Sequence, residues 1–228
     1  FKPEMTAGHS LGEFSALVAA GALSFEDGLK LVYARAMAMQ KACEATPSTM
    51  AAIIALPDEK VEEICAAVNA EGEVCVPANY NCPGQIVITG AADAVGEAGD
   101  ACKEAGAKRV VPLKVSGPFH SALLAEAGKK LKEALEDVTI QPITIPYLTN
   151  VTADYVKDPA DVKDYLVSQV SSSVRWQQTI ERLIADGAEE FVEIGPGRSL
   201  SGFMRKINRD VTTCNIDKME DFNKYVNR

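Results

Sequence analysis

The sequence has 228 residues, 47% of them apolar and 24% charged, with a mean hydropathy close to zero. This is the composition of a globular protein of one or two domains. A formal charge of −9 and an isoelectric point near 4.9 argue against a nucleic-acid or anionic-membrane surface. No apolar run approaches the roughly 18 residues of a membrane span, and no signal peptide is legible. The six cysteines form no C-x-x-C pair and only two histidines accompany them, so metal-ligand spacing is absent. Free thiols in a reducing cytosol are expected, and with them a cytoplasmic location.

In chain order, the first feature is GHSLGE at residues 8–13. Gly8-x-Ser10-x-Gly12 is the pattern of a serine raised on a sharp turn between a strand and a helix. Residues 11–23 have helical periodicity. Ser24 offers an N-cap, followed by Glu26 and Asp27 in a first turn, where acids suit the helix dipole. The helix it opens spans 25–43, and Thr46-Pro47-Ser48 breaks it. Residues 50–56 read as a strand and 57–72 as a helix with Pro57 near its first turn. Two strands, 74–80 and 84–90, flank the turn residues Asn81-Cys82-Pro83-Gly84; a helix over 91–106 and a strand over 109–115 follow. The order β-α-β-β-α-β is that of a ferredoxin-like unit. An inserted subdomain is therefore predicted over 47–115, within a larger α/β domain formed by 1–46 and 116–228. That domain continues with a helix over 121–138, a strand within 143–156, a helix over 174–188, and a strand, Gly-Pro-Gly turn and helix over 189–207.

A serine hydroxyl needs a neighbouring general base to act as a nucleophile, and histidine is the usual one. His9 adjoins Ser10 across a tight turn where consecutive side chains diverge, which leaves His120, in SGPFHS. Arg35 lies on a helix face whose i±3 and i±4 neighbours are Leu31, Val32, Ala38 and Met39. A guanidinium on an apolar face stays charged and needs an anion. That anion is either a structural Glu or Asp, or a carboxylate-bearing substrate held bidentately beside Ser10.

GHSLGE (8–13), the arginine of YARAMAMQ (33–40), PANYNCPGQIVITG (77–90), GPFHSALL (117–124), QVSSSVRW (169–176) and EIGPGRSLSGFMRKI (193–207) together resemble the malonyl-CoA:acyl carrier protein transacylases. The resemblance covers nearly the whole chain. It implies an α/β-hydrolase-like large domain with a parallel sheet plus an inserted ferredoxin-like subdomain. It also implies a ping-pong transfer of malonyl from coenzyme A to the phosphopantetheine thiol of acyl carrier protein, in fatty acid biosynthesis. Ser10 matches the residue that becomes malonylated and His120 the base of a Ser-His dyad. Gln169 matches a glutamine whose main-chain carbonyl orients that histidine, and the N–H of Leu11 matches an oxyanion-hole donor. Arg35 matches the residue that binds the malonyl carboxylate, and Phe119 the phenylalanine of malonyl-selective members. Asn79, Asn81 and Gln85 align with a motif facing the cleft, and Lys108-Arg109 are placed to meet coenzyme A phosphates. No permanently bound cofactor or metal is implied, malonyl-CoA being a substrate; the expected partner is acyl carrier protein, and the expected state a monomer with no nucleic-acid or membrane partner. Cys82 stands where many relatives have Ser. Members also carry a segment before the elbow, with a Gly-Gln-Gly loop supplying the other oxyanion donor, so the chain is expected to lack strands that precede Gly8.

Two other readings share some of these residues. An α/β-hydrolase, esterase or thioesterase, has G-x-S-x-G but wants its histidine near the C-terminus after an acid. A non-catalytic piece lacking part of the oxyanion hole is the second.

Overall fold

The computed structural model describes residues 2–44, 47–70, 72–115 and 117–228. Thr46 of the predicted helix break, Glu71 near the end of the predicted 57–72 helix, and Ser116 at the predicted subdomain boundary lie outside the described residues. The fold is α/β, with parallel strand pairs and a separate antiparallel sheet.

The antiparallel sheet holds β2 (Ser48–Ile54), β3 (Cys75–Cys82), β4 (Gln85–Ala91) and β5 (Arg109–Pro112) in the order β3-β4-β2-β5. Helices α3 (Asp58–Ala70) and α4 (Ala92–Glu104) connect the strands in the ferredoxin-like sequence. Period-two alternation sends Ala51, Ile53, Ile86 and Ile88 into one core with Val61, Ile64, Val95 and Ala98 of the helices. The opposite face buries Met50, Ala52, Ala78 and Val87 against Leu113 and Phe119. With both faces covered, β2 and β4 read as near-continuous apolar runs rather than as alternating ones. Pro77 is tolerated because β3 is an edge strand with a register shift between Pro77 and Asn79. A second shift follows between Tyr80 and Cys82, so the strand runs to Cys82 and the turn shrinks to Pro83-Gly84, with Gly84 at φ 68°. Beyond that edge, Ala78 and Tyr80 exchange main-chain hydrogen bonds with Val174.

Around this sheet, β1 (Thr6–Ala7) pairs in parallel with β6 (Tyr147–Leu148), and β7 (Glu190–Ile194) with β8 (Thr212–Ile216). The parallel strands form two separate two-stranded pairs rather than one sheet. Helices α1 (Gly12–Ala19), α2 (Phe25–Cys43), α5 (Ala125–Leu135) and α6 (Val162–Gln169) share one core with Tyr147. Helices α7 (Trp176–Ala185) and α8 (Ser199–Ile207) pack with Leu148 and Val174 in another, and α9 (Met219–Val226) ends the chain. Ser24 caps α2 as expected, its Oγ accepting from the N–H of Asp27 at 3.0 Å.

Other element boundaries differ from expectation as well. The helix after the elbow stops at Ala19, and Gly21 at φ 76° turns the chain. The 109–115 strand ends at Pro112, with Leu113 donating one more main-chain bond to Met50 and lining the cleft. The 121–138 helix opens with a 3-10 turn over Ala122–Leu124, and the 174–188 helix starts at Trp176 because Val174 is spent on β3. No helix among the described residues is long and apolar enough to cross a membrane.

Candidate active site

Ser10 leaves β1 after a single intervening glycine and a histidine, at φ 52°, a left-handed conformation that costs a non-glycine residue about 1 kcal/mol or more. The turn is tight enough that a Cβ on Gly8 would lie 1.9 Å from the carbonyl oxygen of Gly12. Only glycine fits there. An added Cβ on Gly12 meets nothing within 4 Å, so the close approach in G-x-S-x-G is made at its first glycine. Asn150, after β6, braces the turn: its Oδ1 accepts from the N–H of Ser10 at 2.7 Å and its Nδ2 donates to the carbonyl of Gly8 at 2.6 Å. The N–H of Leu11 has no partner among the described residues and is free to act as a donor.

The Oγ of Ser10 lies 2.8 Å from Nε2 of His120. His120 itself has φ 64° and is buried. Its Nδ1 faces two main-chain carbonyls, Gln169 at 2.9 Å and Ser172 at 3.0 Å. Both can only accept, so the proton sits on Nδ1 and Nε2 presents its lone pair to the serine hydroxyl. Burial, and then the positive charge of Arg35, hold the imidazole down at about 4, so it is neutral at physiological pH and able to take a proton.

Arg35 sits on the buried face of α2 with Leu31 and Met39. Only 5% exposed, it donates from Nη2 to Ser10 Oγ at 3.0 Å and to Gln169 Oε1 at 3.2 Å. Its ring-side neighbour is Phe14, 5.9 Å from the guanidinium carbon. Nε has no partner, and the guanidinium forms no ion pair among the described residues. Burial lowers it to about 10, which leaves it charged. The structural-carboxylate alternative for Arg35 thus finds no direct partner.

These groups open into a cleft of about 700 Å³ between α2, the apolar face of the antiparallel sheet and the Phe119-His120 turn. Met39, Cys43, Met50, Leu113 and Phe119 make its apolar wall, with Asn79 at one side. Asn81 is spent on His9, whose Nε2 it meets at 2.8 Å, and His9 packs 5.5 Å from the Trp176 ring. His9 therefore fastens the elbow to β3 and does not approach the serine hydroxyl. Gln85 is not among the residues lining the cleft; its Oε1 accepts from Lys206 of α8 at 3.0 Å. Lys108 and Arg109 are exposed just before and at the start of β5, and Arg109 is four residues, about 13 Å along the strand, from Leu113.

Three contributors escape a reading of the sequence. The Gln169 side chain donates to the Ser10 carbonyl at 2.9 Å, Glu13 is fully buried beneath it, and Asn150 braces the turn. Glu13 carried a signal, an acid inside the elbow motif, but it reads as an ordinary helix-dipole partner. Asn150 carried none.

A family model described as "Acyl transferase domain" matches residues 1–216. The chain is 47% identical over 218 residues to a malonyl CoA-acyl carrier protein transacylase of Bacillus subtilis (strain 168), covering 96% of this chain and 69% of that protein. An acyl carrier protein S-malonyltransferase from Vibrio cholerae superposes with a TM-score of 0.95 at 42% identity, over 99% of this chain and 73% of that one. A malonyl-transacylase solved in complex with a holo type II PKS acyl-carrier protein superposes at 0.93 with 39% identity, over 99% and 73%.

Proposed function

The chain belongs to the acyl transferase domain family, and on that premise we propose that it is an [acyl-carrier-protein] S-malonyltransferase, moving malonyl from coenzyme A to acyl carrier protein in fatty acid biosynthesis. The observation that carries this reading is Arg35: a buried guanidinium with no ion pair among the described residues and with Nη2 3.0 Å from the hydroxyl of an elbow serine. A simple ester hydrolase has no use for it. A malonyl thioester brings the missing carboxylate, which a guanidinium holds bidentately.

His120 Nε2 takes the Ser10 proton as Oγ attacks the thioester carbonyl. The N–H of Leu11 donates to the oxyanion that forms; losing one such donor typically costs about 100- to 1,000-fold. Collapse expels the coenzyme A thiolate, which recovers the proton from His120 and leaves malonyl-Ser10. The pantetheine thiol of the carrier then gives its proton to His120 and attacks the ester, and the serine regains its hydrogen as the product leaves. Gln169 and Ser172 carbonyls stabilise the transient imidazolium in place of a triad carboxylate. Arg35 fixes the acyl group by its tail, so an acetyl group leaves the guanidinium unpaired.

Phe119 closes the cleft around the malonyl methylene, and Asn81 acts through His9. Lys108 and Arg109 are assigned to the phosphates of coenzyme A. We read 47–115 as an inserted subdomain, the protein as a cytoplasmic monomer, and its chemistry as needing no resident cofactor.

The test is to follow both half-reactions by intact mass. Malonyl-CoA alone is expected to leave a malonyl adduct on the chain, lost in Ser10→Ala, and adding holo carrier protein should move that mass to the carrier. Release of free malonate faster than carrier loading would replace this reading with a thioesterase.

A further inference from the structure

Beneath the nucleophile lies a carboxylate that the transfer itself does not use. Glu13, in the first turn of α1, is wholly buried. Acids at that position ordinarily face solvent, where the helix dipole favours them. Here the side chain turns inward and collects donors from two other elements. Its Oε1 accepts from the hydroxyl of Tyr147 at 2.5 Å, and its Oε2 from the N–H of Asn150 at 3.1 Å and from Nε2 of Gln169 at 2.6 Å. Main-chain and amide N–H groups can only donate, so the set matches an ionised carboxylate. Burial raises the carboxyl above its ordinary value, and these hydrogen bonds oppose the rise without cancelling it.

The consequence runs through Gln169. One hydrogen of its Nε2 goes to Glu13 and the other to the Ser10 carbonyl. With both spent, Oε1 faces Arg35 Nη2 at 3.2 Å. Turning the amide over would set its oxygen against a carboxylate and a carbonyl, and its N–H groups against a guanidinium. Glu13 thereby decides which end of Gln169 meets Arg35. Its charge also steadies the guanidinium, which has no ion pair of its own among the described residues.

We infer that Glu13 is a positioning residue for malonyl selection: its buried carboxylate locks the Gln169 amide, and through it holds the Arg35 guanidinium against Ser10. This rests on the proposed role of Arg35. Glu13 touches neither substrate nor reacting atoms. It acts on the residue that recognises the acyl tail, so its removal falls on the choice between acyl groups more than on acyl transfer as such. A role confined to packing would lower every loading rate together.

Single-turnover loading of Ser10 from malonyl-CoA and, separately, acetyl-CoA reads this choice as a ratio. Glu13→Gln keeps the side-chain shape and removes the charge; its malonyl-to-acetyl ratio is expected to fall by about 10-fold or more, the size of effect that unpairing a buried polar recognition group produces. In the Arg35→Ala background the same change should alter the ratio by less than about 2-fold, as residues acting through one another are non-additive. Tyr147→Phe, which removes one donor from outside the cleft, should lower the ratio by about 3-fold, and carries the test if Glu13→Gln fails to fold. A parental ratio in Glu13→Gln or in Tyr147→Phe, or a parallel loss of both rates, overturns the inference alone. A parent that loads malonyl and acetyl equally overturns the role of Arg35, and this inference with it.

Discussion

In the antiparallel sheet, Ile53, Ile86 and Ile88 meet the apolar faces of α3 and α4, whereas in the adjoining cleft Glu13, Arg35, His120 and Gln169 are buried with their polar atoms on one another. The sheet is held by non-directional burial, worth roughly 25 cal/mol per Å², and tolerates exchange among apolar side chains of similar volume. The cleft is held by directed hydrogen bonds in which each buried group needs its partner. Shape errors in the first region cost stability, and polar errors in the second cost chemistry.

The sharpest way to separate the two is His120→Ala. It should lower Ser10 acylation by about 10²- to 10⁴-fold, the usual contribution of a general base, with a smaller loss of stability than an apolar core truncation, since the Gln169 and Ser172 carbonyls left unpaired border a cleft that water can enter. Rapid-quench intact mass and a thermal melt check both halves; near-parental acylation would transfer the base role elsewhere. The converse change is Ile88→Ala, in a fully buried position of β4. It should cost about 2–5 kcal/mol of stability while acylation by the folded protein at 25 °C stays near the parental rate. Denaturant midpoints read the first, and a large drop in acylation by folded protein would mean the sheet is coupled to the cleft more tightly than its packing implies.

The mildest perturbation is pH. The base works as the neutral imidazole, and its folded value is held down at about 4. The acylation rate should therefore stay level as pH falls through 6.5 and decline only toward about 4; a limb near 6.5 would mean the ring is not desolvated during turnover. Stability follows the same depressed group. Unfolded chains bind the proton below their ordinary value near 6.5, so the contribution is complete above that pH and is lost as pH falls from 6.5 toward 4.

The two regions were also unequally legible in the sequence. Alternation, turn residues and caps act over neighbouring positions, so the strands and helices of the antiparallel sheet could be placed within a few residues, and so could α2 with its Ser24 cap. The errors came where distant chain intervenes, as when Val174 is taken by β3 and Leu113 lines the cleft. Ser10, His120 and Arg35 stand out because a raised serine, a singular histidine and an arginine on an apolar face are each locally odd. Nothing local marks Asn150 or Ser172, whose importance exists only once the elbow is folded against them. Tyr147 and Glu13 are 134 residues apart, and no periodicity joins them.

The most direct measurement is competition between malonyl-CoA and acetyl-CoA for Ser10, read by intact mass in the parent and in Arg35→Ala. The account predicts strong malonyl preference in the parent, and in the variant a loss of malonyl loading that leaves acetyl loading detectable. Equal labelling of the parent by the two thioesters, or a variant that still strongly prefers malonyl, would contradict it.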